Sequence, residues 1–386
     1  MPGYLINLGA PAGRLKLYIE SGIYGTKIGR TGWYPATLYT LADYLTMQPG
    51  DLVFFFQKRM IYGIGSIATL ANEGAPGPVF CNFQRSHVPT LIPSPPYVWN
   101  GDEDPDIRWR VIFRPSPAFF QNGVDMDEVL QADTAGVARS LRVFWNRSFV
   151  KMEDDETNLI ATAILRRNQS PDSPKFEDHS ESVHDELARN QNLPDFLPNT
   201  DDLVSENLHG NEIRHEPTLQ AWLADALTRG RPNATAIFGE WSHIANLYPA
   251  SPLKPRDYMD EIDLFGYTLA RAQQGIAPFP TKFKVIEVKK GSQTAGPANV
   301  IDQVMKYVDW ISTTRAGGDY ALVDGYVVAA GFNDEAVEYA RRARARTYVM
   351  PRRPYQTKTW DNLSLVTYSA SQATPAVELR ELLSPS

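Results

Sequence analysis

The spacing of apolar and polar positions divides the chain into three sections. Residues 1–165 carry short apolar runs rich in aromatics, Gly and Pro, which read as strands. The clearest is Asp51 to Leu70, DLVFFFQKRMIYGIGSIATL, where Gln57-Lys58-Arg59 separates two β-rich runs as a hairpin turn would. Pro49-Gly50-Asp51 just before it is a turn signal. A second strand-like run is Trp109 to Phe113, ended by Pro115. A helix is predicted from Asp125 to about Ala132, with Asp125 or Asp127 near its start. Helical periodicity returns from about Asp154.

Residues 166–206 are polar, acidic and punctuated by proline. They hold few large apolar side chains and so predict a linker, with a short helix at Ser182 to Asn190. Residues 207–386 open with PTLQAWLADALTRG, in which Leu219, Trp222, Leu223, Ala226 and Leu227 share one helical face and Gly230 is a natural stop. Strand-like runs follow at Glu261–Thr268, Phe283–Lys290 and Gly325–Ala330. Helices are predicted from Pro297 to about Ser312 and from Asp334 to about Arg346. Strands interleaved with helices argue an α/β domain.

Composition narrows the picture. A chain of 386 residues has room for two or three domains, and 43% hydrophobic with 22% charged residues is enough apolar material for a sizeable core. The net charge of −7 means that any contact with nucleic acid must come from local basic patches. A single cysteine, Cys81, excludes an internal disulfide and fits a reducing, cytoplasmic setting. No signal-like N-terminal run and no run of eighteen apolar residues is present, so no membrane span is expected. The six histidines lack metal-binding spacing and Cys81 has no partner, which argues against structural zinc. No Walker loop occurs, which argues against an ATP-driven motor.

The candidate chemistry lies in FKVIEVKK, Phe283 to Lys290. Side chains alternate along a strand, so Glu287 and Lys289 point the same way from an otherwise apolar segment. A carboxylate and an ammonium buried there must pair or bind a metal. Asp263 lies 24 residues upstream in EIDLFGYT, and a long hairpin can bring it beside Glu287. Two carboxylates suit Mg²⁺ or Mn²⁺, which activates water and neutralises a phosphate. The competing reading is an ordinary ion pair or surface charge.

Asp263 and Glu287-Val288-Lys289 resemble the core of the PD-(D/E)xK nuclease superfamily, which has the restriction-endonuclease-like fold. His215-Glu216-Pro217-Thr218-Leu219-Gln220-Ala221-Trp222-Leu223 resembles that domain's first helix, whose glutamate, here Glu216, projects toward the metal. Asp302-Gln303-Val304-Met305-Lys306-Tyr307 resembles the helix whose glutamine, here Gln303, supports the site. Gly325 to Ala330 with the following helix resembles the EndoMS/NucS type of mismatch- and branch-cleaving enzymes. The resemblance covers about residues 212–350, and it departs from the motif in that Ile262 precedes Asp263 where the family has proline. Glu216 also has a plain role beside a helix dipole. Glu240 and Glu261 are rival carboxylates, and Tyr307 reads as packing. Arg341, Arg342 and Arg344, with Arg346, Arg352 and Arg353 beyond them, form the densest basic run, which is either a DNA contact or a solvated helix face.

In the first section, GDLVFFFQKRMIYGIGSI resembles the β-barrel of PUA-like domains of the EVE and YTH kind, which hold a modified or flipped base among aromatics. Trp33, Trp99 and Trp109 are the cage candidates, against the alternative that they are core. The expected protein is therefore a two-domain α+β and α/β chain. A PUA-like barrel (1–165) and an acidic linker (166–206) precede a restriction-endonuclease-like domain with a mixed sheet (207–386). The resemblance implies a Mg²⁺- or Mn²⁺-dependent DNA endonuclease of bacterial restriction or anti-phage defence, acting as a homodimer or larger assembly. A repair nuclease for mismatched or branched DNA and a non-catalytic nucleic-acid-binding protein are the alternatives, and RNA stays open as a substrate.

Overall fold

The computed structural model describes residues 1–9, 13–28, 33–70, 77–81, 98–99, 106–143, 147–189, 193–250, 260–270, 278–293, 300–371 and 377–384. They form a mixed α/β structure that divides into two compact units, Met1–Asn199 and Thr200–Ser386.

The first unit is built on a mixed sheet of eight strands. In chain order its elements are β1 (Gly3–Asn7), α1 (Arg14–Ser21), β2 (Ile23–Lys27), α2 (Pro35–Leu45), β3 (Leu52–Gln57) and β4 (Met60–Ile67), then β5 (Val79–Cys81), β6 (Ile107–Arg114) and β7 (Val124–Asp125). They are followed by α3 (Met126–Ala132), α4 (Arg139–Val143), β8 (Phe149–Met152), α5 (Asp154–Arg167) and α6 (Ser180–Ala188). The strands run in the order β2-β6-β4-β3-β1-β8, with β5 added to β6 and β7 to β4. Among the described residues of this unit, β1 and β3 are the one pair that runs parallel.

Local chemistry explains these elements. The β3–β4 hairpin closes through Lys58 (φ 50) and Arg59 (φ 70), the pair of left-handed residues that a tight hairpin turn requires. The Asp125 side chain caps α3 by accepting from the Asp127 amide at 2.8 Å. Helix α5 starts with a capping box between Glu153 and Glu156 and ends in Arg166 and Arg167, so both ends suit its dipole. Ile160 and Ile164 of α5 pack with Leu5, Phe54 and Ile61 in one core. Elsewhere the sheet buries an aromatic cluster in which Tyr44 meets Phe149 at 4.9 Å and Phe55 stacks on Phe119 at 5.5 Å.

The acidic segment predicted to be a linker is folded. The Phe176 amide donates to the Phe119 carbonyl at 2.9 Å, and the His179 amide to the Glu20 carbonyl at 2.9 Å. Leu187 of α6 is buried with Ile23 and Ile112, and His184 contacts the Gly22 carbonyl at 3.1 Å. A few apolar residues on α6 suffice, because its acidic residues face outward.

The second unit begins earlier than expected, with α7 (Thr200–Glu206). The hairpin β9 (Leu208–His209) and β10 (Glu212–Ile213) leads into α8 (Glu216–Thr228), α9 (Pro232–Phe238), β11 (His243–Pro249), β12 (Glu261–Leu269), β13 (Pro280–Val288) and β14 (Ser292–Gln293). Then come α10 (Val300–Thr314), β15 (Val323–Ala329), β16 (Gly331–Phe332), α11 (Asp334–Arg344), β17 (Arg346–Val349), β18 (Thr357–Trp360), β19 (Leu363–Ser369) and β20 (Glu378–Leu383). The main sheet is β11-β12-β13-β15-β19-β20. Its centre, β13-β15-β19, is parallel, and both flanks are antiparallel. Val304, Val308 and Ile311 of α10 pack with Phe265, Phe283, Val285 and Val327 of the sheet. Helix α7 is locked to α8 where the Thr200 hydroxyl donates to Asp225 at 2.6 Å and the Trp222 indole to Asp201 at 2.7 Å.

Candidate active site

Antiparallel pairing of β12 with β13 matches Leu264 to Ile286, and the same register sets Asp263 opposite Glu287. At that point the ladder gives way to a side chain, since the Val288 amide donates to the Asp263 carboxylate at 2.8 Å. Lys289, just past the strand, turns back and donates to Glu287 at 2.7 Å and to Glu216 at 3.3 Å. Glu216 opens α8, so the start of this helix and the end of β13 converge on one ammonium. Asp263 and Glu287 are buried, at 8% and 1% exposure, whereas the Lys289 and Glu216 side chains retain 24% and 28%. The cluster therefore opens to solvent on its Lys289–Glu216 side.

The electrostatics follow from this crowding. Burial disfavours charge on Lys289, but Glu287, Asp263 and Glu216 more than offset it and raise its pKa. Burial likewise raises both inner carboxyls, Glu287 to about 8 and Asp263 to about 7; Asp263 adds to the rise at Glu287, and Lys289 opposes both. Three carboxyls compete for one ammonium, so the ammonium stays charged and the inner pair holds protons up to near-neutral pH. One atom is left over, because Glu287 Oε2 is buried and accepts no hydrogen bond. A hard divalent cation is the partner that two crowded carboxylates and an orphaned oxygen would accept. Asp263 and Glu287 could hold it, with Glu216 within reach of the same ammonium.

Two buried amides, Gln220 and Asn246, support the pair and carry no motif of their own. Gln220, one turn after Glu216, donates to the Asp263 carbonyl at 2.8 Å and to Asn246 of β11 at 2.6 Å. Gln220 lies inside a helix whose pattern is dominated by apolar residues, and a buried amide has no sequence signature of its own. Gln303 does not bond the carboxylates directly. Its amide donates to the Tyr307 hydroxyl at 3.0 Å, which donates to the Glu261 carbonyl at 2.8 Å. Tyr307 is thus more than packing: it ties α10 to the first residue of β12. Glu261 carries negative charge near Asp263, whereas Glu240 is exposed, and its carbonyl accepts from Lys284 at 2.7 Å and from the Thr268 hydroxyl at 2.8 Å.

Other predicted contacts lie elsewhere. Asp334 starts α11 just beyond β16, whose neighbour β14 follows Lys290. The arginines occupy the last turn of this eleven-residue helix, about 15 Å farther along its axis. There Arg341 pairs with Glu338 at 3.5 Å, Arg342 lies over Tyr339, and Arg344 donates to the Ser384 carbonyl. These contacts fit a solvated helix face. In the first unit, Trp109 is 1% exposed with its ring 5.9 Å from Tyr44, so it belongs to the core rather than a cage. Trp99 is nearly buried and covered by the Arg110 guanidinium at 4.7 Å, while Trp33 is half-buried. The concavity of this unit, about 340 Å³, is lined instead by Asn7, Arg14, Tyr18, Tyr24, Lys27 and Ser148 among others.

A second acidic group has a different explanation. Oxygens of Glu153, Asp155 and Glu156 lie within 4.8 Å of one another. Arg139 already sits among them, at 2.8, 3.0 and 3.8 Å, where a cation would go. Among the described residues no helix is long and apolar enough to cross a membrane. No protein-family model and no curated protein matches the chain.

Proposed function

We propose that the second unit is a metal-dependent nuclease that hydrolyses phosphodiester bonds in DNA, with Asp263, Glu287 and Lys289 as its centre. The observation that carries the reading is the buried Asp263–Glu287 pair, with one orphaned carboxylate oxygen, held against a charged lysine at the end of a mixed sheet. A restriction-endonuclease-like fold is the frame that this sheet and its flanking α8 and α10 suit best. Mg²⁺ or Mn²⁺ bound there would supply an acidified water and charge neutralisation at the phosphate. Asp263 and Glu287 hold their oxygens in a buried, prearranged position. Lys289 remains protonated, so it acts as a cation that orients water or phosphate and not as a base. Glu216 keeps the ammonium in place from the open side. Gln303 acts through Tyr307 as a positioning residue.

The first unit then serves as the target reader. A PUA-like fold suits its curving mixed sheet, and the concavity beside Arg14 and Lys27 has a cationic lining that suits a phosphate group. Restriction or anti-phage defence in a bacterial cytoplasm, by a homodimer, is the role that joins a reader to a cutter.

The test is cleavage of plasmid, single-stranded DNA, RNA and modified phage DNA with Mg²⁺, Mn²⁺ or EDTA, comparing wild type with Lys289→Ala. Metal-dependent cutting that falls at least about 100-fold in the variant is expected, the scale of losing a transition-state charge partner. A folded wild type that cuts none of these substrates would overturn the reading.

A further inference from the structure

Arg214 and Lys290 flank the acidic cluster, one on each of the two segments that form it. Arg214 stands two residues before Glu216, and Lys290 directly follows Lys289. The segments are fastened together. Lys289 bridges Glu216 and Glu287, and Lys290 Nζ reaches the Arg214 carbonyl at 3.4 Å. The backbone beneath is also fixed. The Arg214 amide donates to the Asn207 carbonyl at 2.8 Å, the Lys289 amide to the Val328 carbonyl at 2.8 Å, and the Tyr368 hydroxyl to the Lys290 carbonyl.

Both side chains are exposed, and among the described residues neither forms an ion pair. Half-buried His215 follows Arg214 in the chain; burial lowers its pKa, and the charges of Arg214 and Lys290 add to that. The nearest exposed acid on this segment is Glu212, whose charge acts on Tyr368. Two exposed cations thus stand at the edge of a negative pocket, in a chain of net charge −7, on segments fastened to each other. Their placement beside a negative pocket serves a polyanion, which the pocket alone would repel.

We infer that Arg214 and Lys290 form a phosphate-binding rim that holds the nucleic-acid backbone next to the bond presented to Asp263, Glu287 and Lys289. The inference rests on the nuclease reading for the identity of the site but not for its test. Arg214 offers a planar fork of donors and Lys290 a compact charge, and together they grip adjacent backbone oxygens without reading bases.

The experiment measures binding of a labelled DNA duplex, and of the matching single strand, to the full chain in EDTA over a range of salt. Each lost phosphate contact flattens the plot of log affinity against log salt by about 0.9 on duplex. Arg214→Ala with Lys290→Ala should flatten it by roughly 1.8 and weaken both substrates alike. Arg214→Gln and Lys290→Gln alone should each give about half of this, and Lys290→Arg should restore it. The single variants keep the test sound if the double variant folds poorly. Arg380→Ala, an exposed cation on β20, should leave the slope unchanged. An unchanged slope in the folded double variant overturns the rim, as does a wild type that binds neither strand form. Cleavage by wild type with Mg²⁺ is scored separately, so a binding but non-cleaving chain overturns the nuclease reading and leaves the rim standing.

Discussion

At the residue scale, the Asp263–Glu287 pair carries a pH signature. Burial raises both carboxyls, Glu287 from 4.5 to about 8 and Asp263 from 3.8 to about 7. An acid raised on folding binds its proton more tightly in the fold, so its stabilising contribution is complete below the unfolded value and is lost as pH rises through the folded one. Metal-free protein should therefore lose thermal stability between pH 4.5 and about 8. A cation on the same oxygens competes with those protons, so stabilisation by Mg²⁺ should grow across that window. Calorimetry in EDTA and in Mg²⁺ at both ends of the range checks this, and Glu287→Gln should flatten both trends. A Mg²⁺ shift that is the same at both ends in wild type would remove the metal from these oxygens. The three central residues were legible in the sequence because charge within an alternating apolar strand demands a partner. Gln220, Asn246 and the cationic rim were not. Their meaning lies in contacts made across 26 to 76 positions of chain.

At the scale of elements, the site depends on how closely β11 approaches β12. A Cβ added to Gly266 would stand 2.1 Å from the His243 carbonyl and 2.5 Å from the Trp241 ring, so the strands could not keep their spacing. Gly266→Ala is expected to lower stability by about 1–3 kcal/mol or more, as an overpacked core does. Urea unfolding reads the loss, and cleavage should fall with it because Asp263 lies three residues along the same strand. A variant with wild-type midpoint and activity would show that β11 yields freely and does not position Asp263. The elements themselves were unevenly legible. The β3–β4 hairpin and helices α3, α5, α10 and α11 match their patterns, through caps, one-sided apolar faces and turn residues, whereas α8 lies where its periodicity puts it but is buried on every side from Pro217 to Leu227, not on one face alone. Helices α1 and α2 did not stand out. Their residues, such as Tyr18 and Tyr44, are aromatics that read equally as strand, and neither has a side-chain cap bond at its start. Strand β20 is hidden in the sequence for another reason: ELRELL is an edge strand that shows its charges to solvent.

At the scale of the whole molecule, the boundary between the units sets what each needs in order to fold. Composition alone put the start of the second domain at 207, because Thr200 to Glu206 is polar and acidic. Its acids are structural. Asp201 accepts from Arg231 at 2.9 Å and from the Trp222 indole, while Thr200 donates to Asp225, an aspartate only 1% exposed. A fragment beginning at 207 leaves the Trp222 indole without its acceptor and removes buried Leu203 and Val204, while Asp225 keeps Arg229 and Arg231. An unmet buried donor costs about 1–3 kcal/mol and each lost buried aliphatic side chain about 1.5–3 kcal/mol, so the loss should reach a few kcal/mol. A fragment of residues 200–386 should therefore melt well above one of residues 207–386 and retain Mg²⁺-dependent cutting, though without the selection supplied by the first unit. Equal melting of the two fragments would mean that α7 is dispensable. If residues 200–386 cut every substrate no faster than the full chain and with its preferences intact, target choice would belong to the second unit, and the reader assigned to the first would have to be given up.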